Sequence, residues 1–135
     1  MASLYHPAGR YERLCARKRA KGDPVYARVA RFEGVDMSKV DEMMAGMRQM
    51  MEAGKRGELP DDAPEGVQTL QQTVTRFVNL LDRERGASLG IAFCETEDDL
   101  RRANEALEDM SPPSDGGGRR TTVELYEVGI DESFR

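Results

Sequence analysis

"TVTRFVNLL" (residues 73–81), "DRERG" (82–86) and "ASLGIAFCE" (87–95) follow one another without a break. The first segment is β-branched and apolar, the second is polar and ends in glycine, and in the third Leu89, Ile91 and Phe93 alternate with Gly90, Ala92 and Cys94. Alternation with period two sends successive side chains to opposite faces of a strand, and a short polar break ending in glycine lets the chain reverse. The stretch therefore predicts a hairpin of two antiparallel strands. Its start is open, because "VQTL", residues 67–70, also suits a helix running into the first strand.

The flanks repeat a pattern. "VYARVARFEG", from Val25 to Gly34, reads as a strand ending near Glu33. Next, Val40, Met43, Met44, Met47, Met50 and Met51 recur at helical spacing, and Ser38 with Asp41 resembles a capping box, so a helix with one apolar face is expected. "KRGELPDDAPEG", residues 55–66, reads as a charged loop. Beyond the hairpin, Thr96 is placed to cap a helix whose first turn holds Glu97, Asp98 and Asp99 and whose stripe is Leu100, Ala103, Leu107 and Met110. "MSPPSDGGGRRTTVELYEVG", residues 110–129, stops that helix at its prolines, reverses at its glycines and enters a last strand over 119–130.

The order β-α-β-β-α-β predicts a ferredoxin-like α+β fold, a four-stranded antiparallel sheet with two helices on one face. The first strand carries Val25, Ala27 and Val29 on one side and Tyr26, Ala30 and Phe32 on the other. Helices on one face leave the second apolar face uncovered, and a second copy of the sheet is the expected cover. A homodimer follows as the expectation.

Composition excludes several functions. The 135 residues suit one domain, with 33% charged side chains and a net charge of −5. Residues 1–24 hold Arg10, Arg13, Arg17, Lys18, Arg19 and Lys21 against Glu12 and Asp23, a net +4, which leaves −9 for the remainder. An acidic body is a poor partner for a phosphate backbone, and no run is long and apolar enough for a membrane span, so neither nucleic acid nor membrane is an expected partner and a cytoplasmic home is expected. The cysteines are Cys15 and Cys94 and the single histidine is His6, so no disulfide framework and no metal site are expected.

The strand "VYARVARFEG", the turn "DRERG", "CETEDDLRRANEAL" and above all "MSPPSDGGGRRTTVELYEVG" resemble the antibiotic-biosynthesis-monooxygenase-like (ABM-like), dimeric α/β-barrel superfamily, in a small uncharacterised actinobacterial branch. The resemblance covers residues 25 to 131. It implies a sheet-to-sheet dimer forming a barrel, with a small-molecule cavity between each sheet and its own helices. Some relatives are cofactor-independent oxygenases of aromatic polyketides and others degrade haem with an Asn, Trp and His set; this chain has no Trp. The implied function is binding of a small hydrophobic molecule, non-catalytic or weakly catalytic and without a cofactor. The alternative is a cofactor-independent monooxygenase acting on an aromatic polyketide-like substrate.

Candidate cavity residues are Met43, Met47, Asn79, Phe93 and Tyr126; no catalytic residue is assigned. The methionine stripe reads first as ordinary core and second as an adaptable wall for a flat ligand, since methionine repacks around varied shapes. Strand register decides which face receives Asn79 and Tyr126, and whether Arg28, Arg76 and Glu124 pair across the dimer. Cys94 lies before a helix start, where a dipole lowers a thiol pKa, but with no histidine as base the buried-hydrophobe reading is preferred. The run Glu95–Asp99 reads as capping rather than a cation site. Gly116–Gly118 with Arg119 and Arg120 read as a chain reversal whose arginines hold carboxylates or carbonyls at the sheet end.

Three segments result: a basic leader over 1–24, a ferredoxin-like body over 25–131 and a C-terminal tail over 132–135. The leader is expected to be disordered or a start-site extension. The resemblance begins at Val25, and an excess of Arg over Lys points to a GC-rich genome in which GTG commonly initiates.

Overall fold

The computed structural model describes residues 25–110 and 116–135. The expectations for the leader, with His6 and Cys15, and for residues 111–115 lie outside the described residues. The elements are β1 (Tyr26–Glu33), α1 (Val40–Lys55), α2 (Glu65–Thr73), β2 (Val74–Asp82), β3 (Ala87–Cys94), α3 (Glu97–Asp109) and β4 (Arg119–Glu127). All neighbouring strands are antiparallel, in the order β2-β3-β1-β4. The fold is ferredoxin-like α+β, and the hairpin of residues 73–95 supplies its β2 and β3.

The helical alternative left open at "VQTL" is realised as α2, which the expected order β-α-β-β-α-β does not contain. Glu65–Thr73 is helical, entered through Pro64. Its last residue, Thr73, is buried and its hydroxyl donates to the Thr69 carbonyl at 2.8 Å, so the open boundary resolves as helix up to Thr73 and strand from Val74. Proline before a helix lacks only a donor that would be unpaired anyway, a signal masked here by the surrounding charge.

At α1 the expected capping box does not form. Lys39 is the N-cap without a side-chain bond, and the Ser38 hydroxyl donates instead to Asp36 at 2.6 Å. The α3 cap is as expected: Thr96 Oγ1 accepts from the Asp99 amide at 3.0 Å.

Arg28 identifies the helix-bearing face of the sheet. Its Nε donates to Asn104 Oδ1 at 2.8 Å and its Nη2 to Glu108 at 3.1 Å, both on α3. By register, Tyr26, Ala30 and Phe32 share that face, with Ser88, Gly90, Ala92 and Cys94 of β3 and Val74, Phe77, Asn79 and Leu81 of β2. The core sits at one end of it, where Cys94, Leu100 and Ala103 pack with Tyr26, Leu70 and Val74. Here β3 offers only small side chains, which lets α3 approach closely.

The opposite face carries Val29 on β1, Leu89, Ile91 and Phe93 on β3, and Val78 and Leu80 on β2, with Arg31 and Arg76 beside them, while β4 contributes Thr122, Glu124 and Tyr126. None of these six apolar side chains is buried, and Leu80 is 49% exposed.

The stretch 116–120 is a structural reversal. Gly118 has φ +79°, and a Cβ there would lie 2.5 Å from the Glu33 carbonyl oxygen. Arg120 donates to the Leu107 carbonyl at 3.1 Å and also reaches the carbonyls of Glu108 and Met110, fastening the α3 C-terminus, whose last carbonyls lack helical partners.

Candidate functional site between α1 and β2

Helix α1 is tethered at both ends of β2. In its first turn Asp41 meets Arg83, from the β2–β3 turn, at 2.7 Å. In its last turn Gly54 lies against the Gln71 side chain of α2, which leads directly into β2. Between these tethers α1 does not close on the sheet: α2 and α3 pack against strands, whereas α1 barely does. Val40 is the only buried residue of α1. Met43, Met44 and Met47, on the same helical face, are half-buried, and Met50 and Met51 are exposed.

That corrects the preferred reading of the methionines as filled core. A helical apolar stripe reports that one face avoids water, not how much of the covering surface the same chain supplies.

On the helix-bearing face β2 presents Phe77, Asn79 and Leu81, with Gly90 opposite Asn79 in the ladder and Ala30 and Phe32 beyond it. Gly90 has a packing reason: a Cβ there would meet the Phe77 ring at 3.4 Å and Phe32 at 3.9 Å. Among the described residues Asn79 Oδ1 is the one buried side-chain polar atom without a hydrogen-bond partner. An amide oxygen sealed from water and unpaired costs about 1–3 kcal/mol, which makes it a feature in need of a partner.

The five candidate residues do not converge. Asn79 lies on the helix-bearing face, and Met43 and Met47 lie half-buried on α1. Phe93 and Tyr126 both fall at the level of Ala27 on the opposite face, where the Arg76 guanidinium sits 5.5 Å from the Phe93 ring centroid. Tyr126 donates its hydroxyl to Glu124 at 2.8 Å, a bond that holds its phenol above the ordinary range. Of the three residues considered for pairing across a dimer, Arg28 is turned the other way and is 4% exposed; Arg76 and Glu124 are on the open face. Burial pulls the Arg28 guanidinium below its usual value, and the hydrogen bond and charge of Glu108 oppose this.

Phe77 and Leu81 were absent from the candidates. The available signal was their spacing: residues 77, 79 and 81 share one face of any strand whatever its register.

Cys94 is fully buried, and desolvation, with Asp99 adding to it, pushes its thiol up to about 11. A thiol so placed is no nucleophile at neutral pH. Its unfolded pKa is about 8.5, so the native state keeps the proton longer and stability falls as pH rises from there towards 11. In a Cys15→Ser background, a thiol reagent at pH 8 is expected to label Cys94 only after denaturant is added. Rapid stoichiometric labelling of native protein would contradict this burial. Among the described residues no three His, Cys, Asp or Glu side chains group as a metal site, and no helix is long and apolar enough to cross a membrane. Two shallow surface grooves lie elsewhere, one on α1 along Arg48, Glu52 and Arg56, the other beside Gln68, Gln72 and Arg102. Both are open and charged, and neither includes Asn79.

No family model matches this chain, and neither does any curated protein. Among solved structures, SnoaB, a cofactor-independent oxygenase from Streptomyces nogalater, aligns with a TM-score of 0.41 at 13% identity, over 84% of this chain and 98% of SnoaB. That likeness is too weak for an argument about fold or activity.

Proposed function

We propose that the protein is a homodimer that binds a small, flat, hydrophobic molecule between α1 and β2 of each copy. The observation that carries the reading is the unpaired Oδ1 of Asn79 on the helix-bearing face of β2, which a ligand hydroxyl reaches when the half-buried methionines of α1 repack. A planar ligand bearing one hydroxyl fits that chemistry: the hydroxyl donates to Asn79 Oδ1, Phe77 and Leu81 take one apolar face, and Met43 and Met47 adapt to the other. The dimer covers the six-residue apolar band on the opposite face. No catalytic role is assigned to any side chain.

2-Naphthol supplies the test, since it is planar, fluorescent and carries a single hydroxyl. Asn79→Leu removes the unpaired amide at nearly constant volume. It is expected to raise the stability of the unliganded protein by about 1 kcal/mol and to weaken 2-naphthol binding about tenfold. Binding unchanged by the substitution would overturn the assignment. The same incubations, run aerobically and anaerobically and read by mass spectrometry, assess the monooxygenase alternative, for which an oxygen-dependent mass gain is required.

A further inference from the structure

The charged side chains on the open face of the sheet differ in whether this chain supplies their partner. Arg31 is paired with Glu33 at 3.0 Å. Arg76 rests on the Phe93 ring with no carboxylate beside it among the described residues, and Glu124 accepts from the Tyr126 hydroxyl but meets no cation among them. Arg119, level with Glu33 and so on the same face, likewise has no side-chain partner among the described residues.

These unmatched charges stand on the two edge strands. Along the open face β2 presents Arg76, Val78, Leu80 and Asp82, and at the same successive levels β4 presents Tyr126, Glu124, Thr122 and Arg119. One edge runs from positive to negative where the other runs from negative to positive. The edges lie three strand spacings apart, about 14 Å, so the two sets do not meet within one sheet.

A second copy brings them together. A two-fold axis parallel to the strands, between β3 and β1 at the centre of the sheet, keeps the levels and lays β4 of one copy over β2 of the other. Arg76 then faces the hydrogen-bonded Tyr126 and Glu124 of the other copy, and Asp82 faces its Arg119. Glu124 is one level from Arg76, about 7 Å along the strand, within the reach of an arginine side chain. Inside this rim Phe93 lies over Ala27 of the other copy and Ile91 over its Val29, a larger side chain meeting a smaller one each time. An axis across the strands instead lays β2 on β2 and β4 on β4. It sets Arg76 against Asp82, which already has Arg85 at 3.7 Å, and leaves Glu124 opposite Thr122.

We propose that the two copies are registered by charge, with Arg76 of each paired with Glu124 of the other and Asp82 with Arg119, along the two rims where β2 meets β4. The inference rests on the homodimer proposed above and not on the ligand site. Exposed ion pairs add little affinity, so these act by excluding other registers.

Arg76→Glu and Glu124→Arg, both at exposed positions, test the pairing by light scattering over a dilution series, with circular dichroism as the check on folding. Each substitution alone sets like charges together at both rims and is expected to raise the dimer dissociation constant about tenfold. Mixing the two proteins restores opposite charges at both rims of the mixed dimer, and the double variant restores them in its own dimer, so both are expected to associate as the wild type does. The inference is overturned if either single substitution leaves association unchanged, or if the mixture and the double variant stay as weak as the single ones. Rescue of Arg76→Glu by Asp82→Arg in place of Glu124→Arg would also overturn it and select the axis across the strands. A wild-type monomer at micromolar concentration removes homodimer and pairing together, whereas a wild-type dimer indifferent to these charges keeps the homodimer and removes only the pairing, so the two fail separately.

Discussion

Gly118→Ala is expected to lower unfolding free energy by about 2–5 kcal/mol, the largest effect of any single methyl addition considered for this chain. Two costs combine. The backbone at Gly118 has φ +79°, in the left-handed region where a side chain crowds its own carbonyl. The added Cβ also meets the Glu33 carbonyl oxygen at 2.5 Å and Val35 Cγ2 at 3.0 Å. Glu33 ends β1 and pairs with Arg119, so relief of the clash means disturbing the β1–β4 ladder. Gly46→Ala is the matched control. Gly46 lies within α1 with nothing within 4 Å of a new Cβ, and alanine is the better helix former there by about 1 kcal/mol. Urea denaturation should therefore move in opposite directions for the two substitutions. Equal, small changes would mean that residues 116–118 do not set the approach of β4.

In the proposed homodimer, Ile91→Glu is expected to give a folded monomer. Ile91 occupies the middle of the uncovered band, between Val29 on β1 and Val78 on β2. Two-fold symmetry places the substitution twice in one interface, and each unpaired carboxylate buried there costs about 3–5 kcal/mol, so dissociation should strengthen by a thousandfold or more. Thr122→Glu, on the polar β4 part of the same face, is expected to change dimerisation less than tenfold. Circular dichroism confirms folding and light scattering reads mass. A wild-type monomer at micromolar concentration, or an Ile91→Glu variant that remains dimeric, would remove the sheet-to-sheet assembly.

The elements read correctly from sequence share a physical origin. The alternation in "ASLGIAFC" and the Thr96 cap with its acidic first turn act over a few residues, and local chemistry of that kind survives folding unchanged. The capping box at Ser38 failed for a local reason too: Asp36, two residues away, competed for the same hydroxyl. Missing α2 had another cause. Nine residues with Gly66 near the start form a weak isolated helix, and its stability comes from packing on α3, where Gly66 lies close to Met110 and Ala106.

By itself the sequence determined the element order, the ferredoxin-like sheet, the strand reversal at 116–118 and the buried, inert character of Cys94, because periodicity, glycine placement and the absence of a base in the body are properties of the chain. Only the tertiary structure decided which face each strand residue takes. A period of two divides residues into sets without saying which set meets the helices, and the Arg28 bonds to Asn104 and Glu108 settle that for the whole sheet. The same step separated Asn79 from Phe93 and Tyr126, and it showed the methionine face of α1 only half-buried. A hydrophobic pattern encodes a preference for burial, whereas the distance between two elements depends on where their ends are fastened, here by Arg83 to Asp41 and by Gln71 against Gly54.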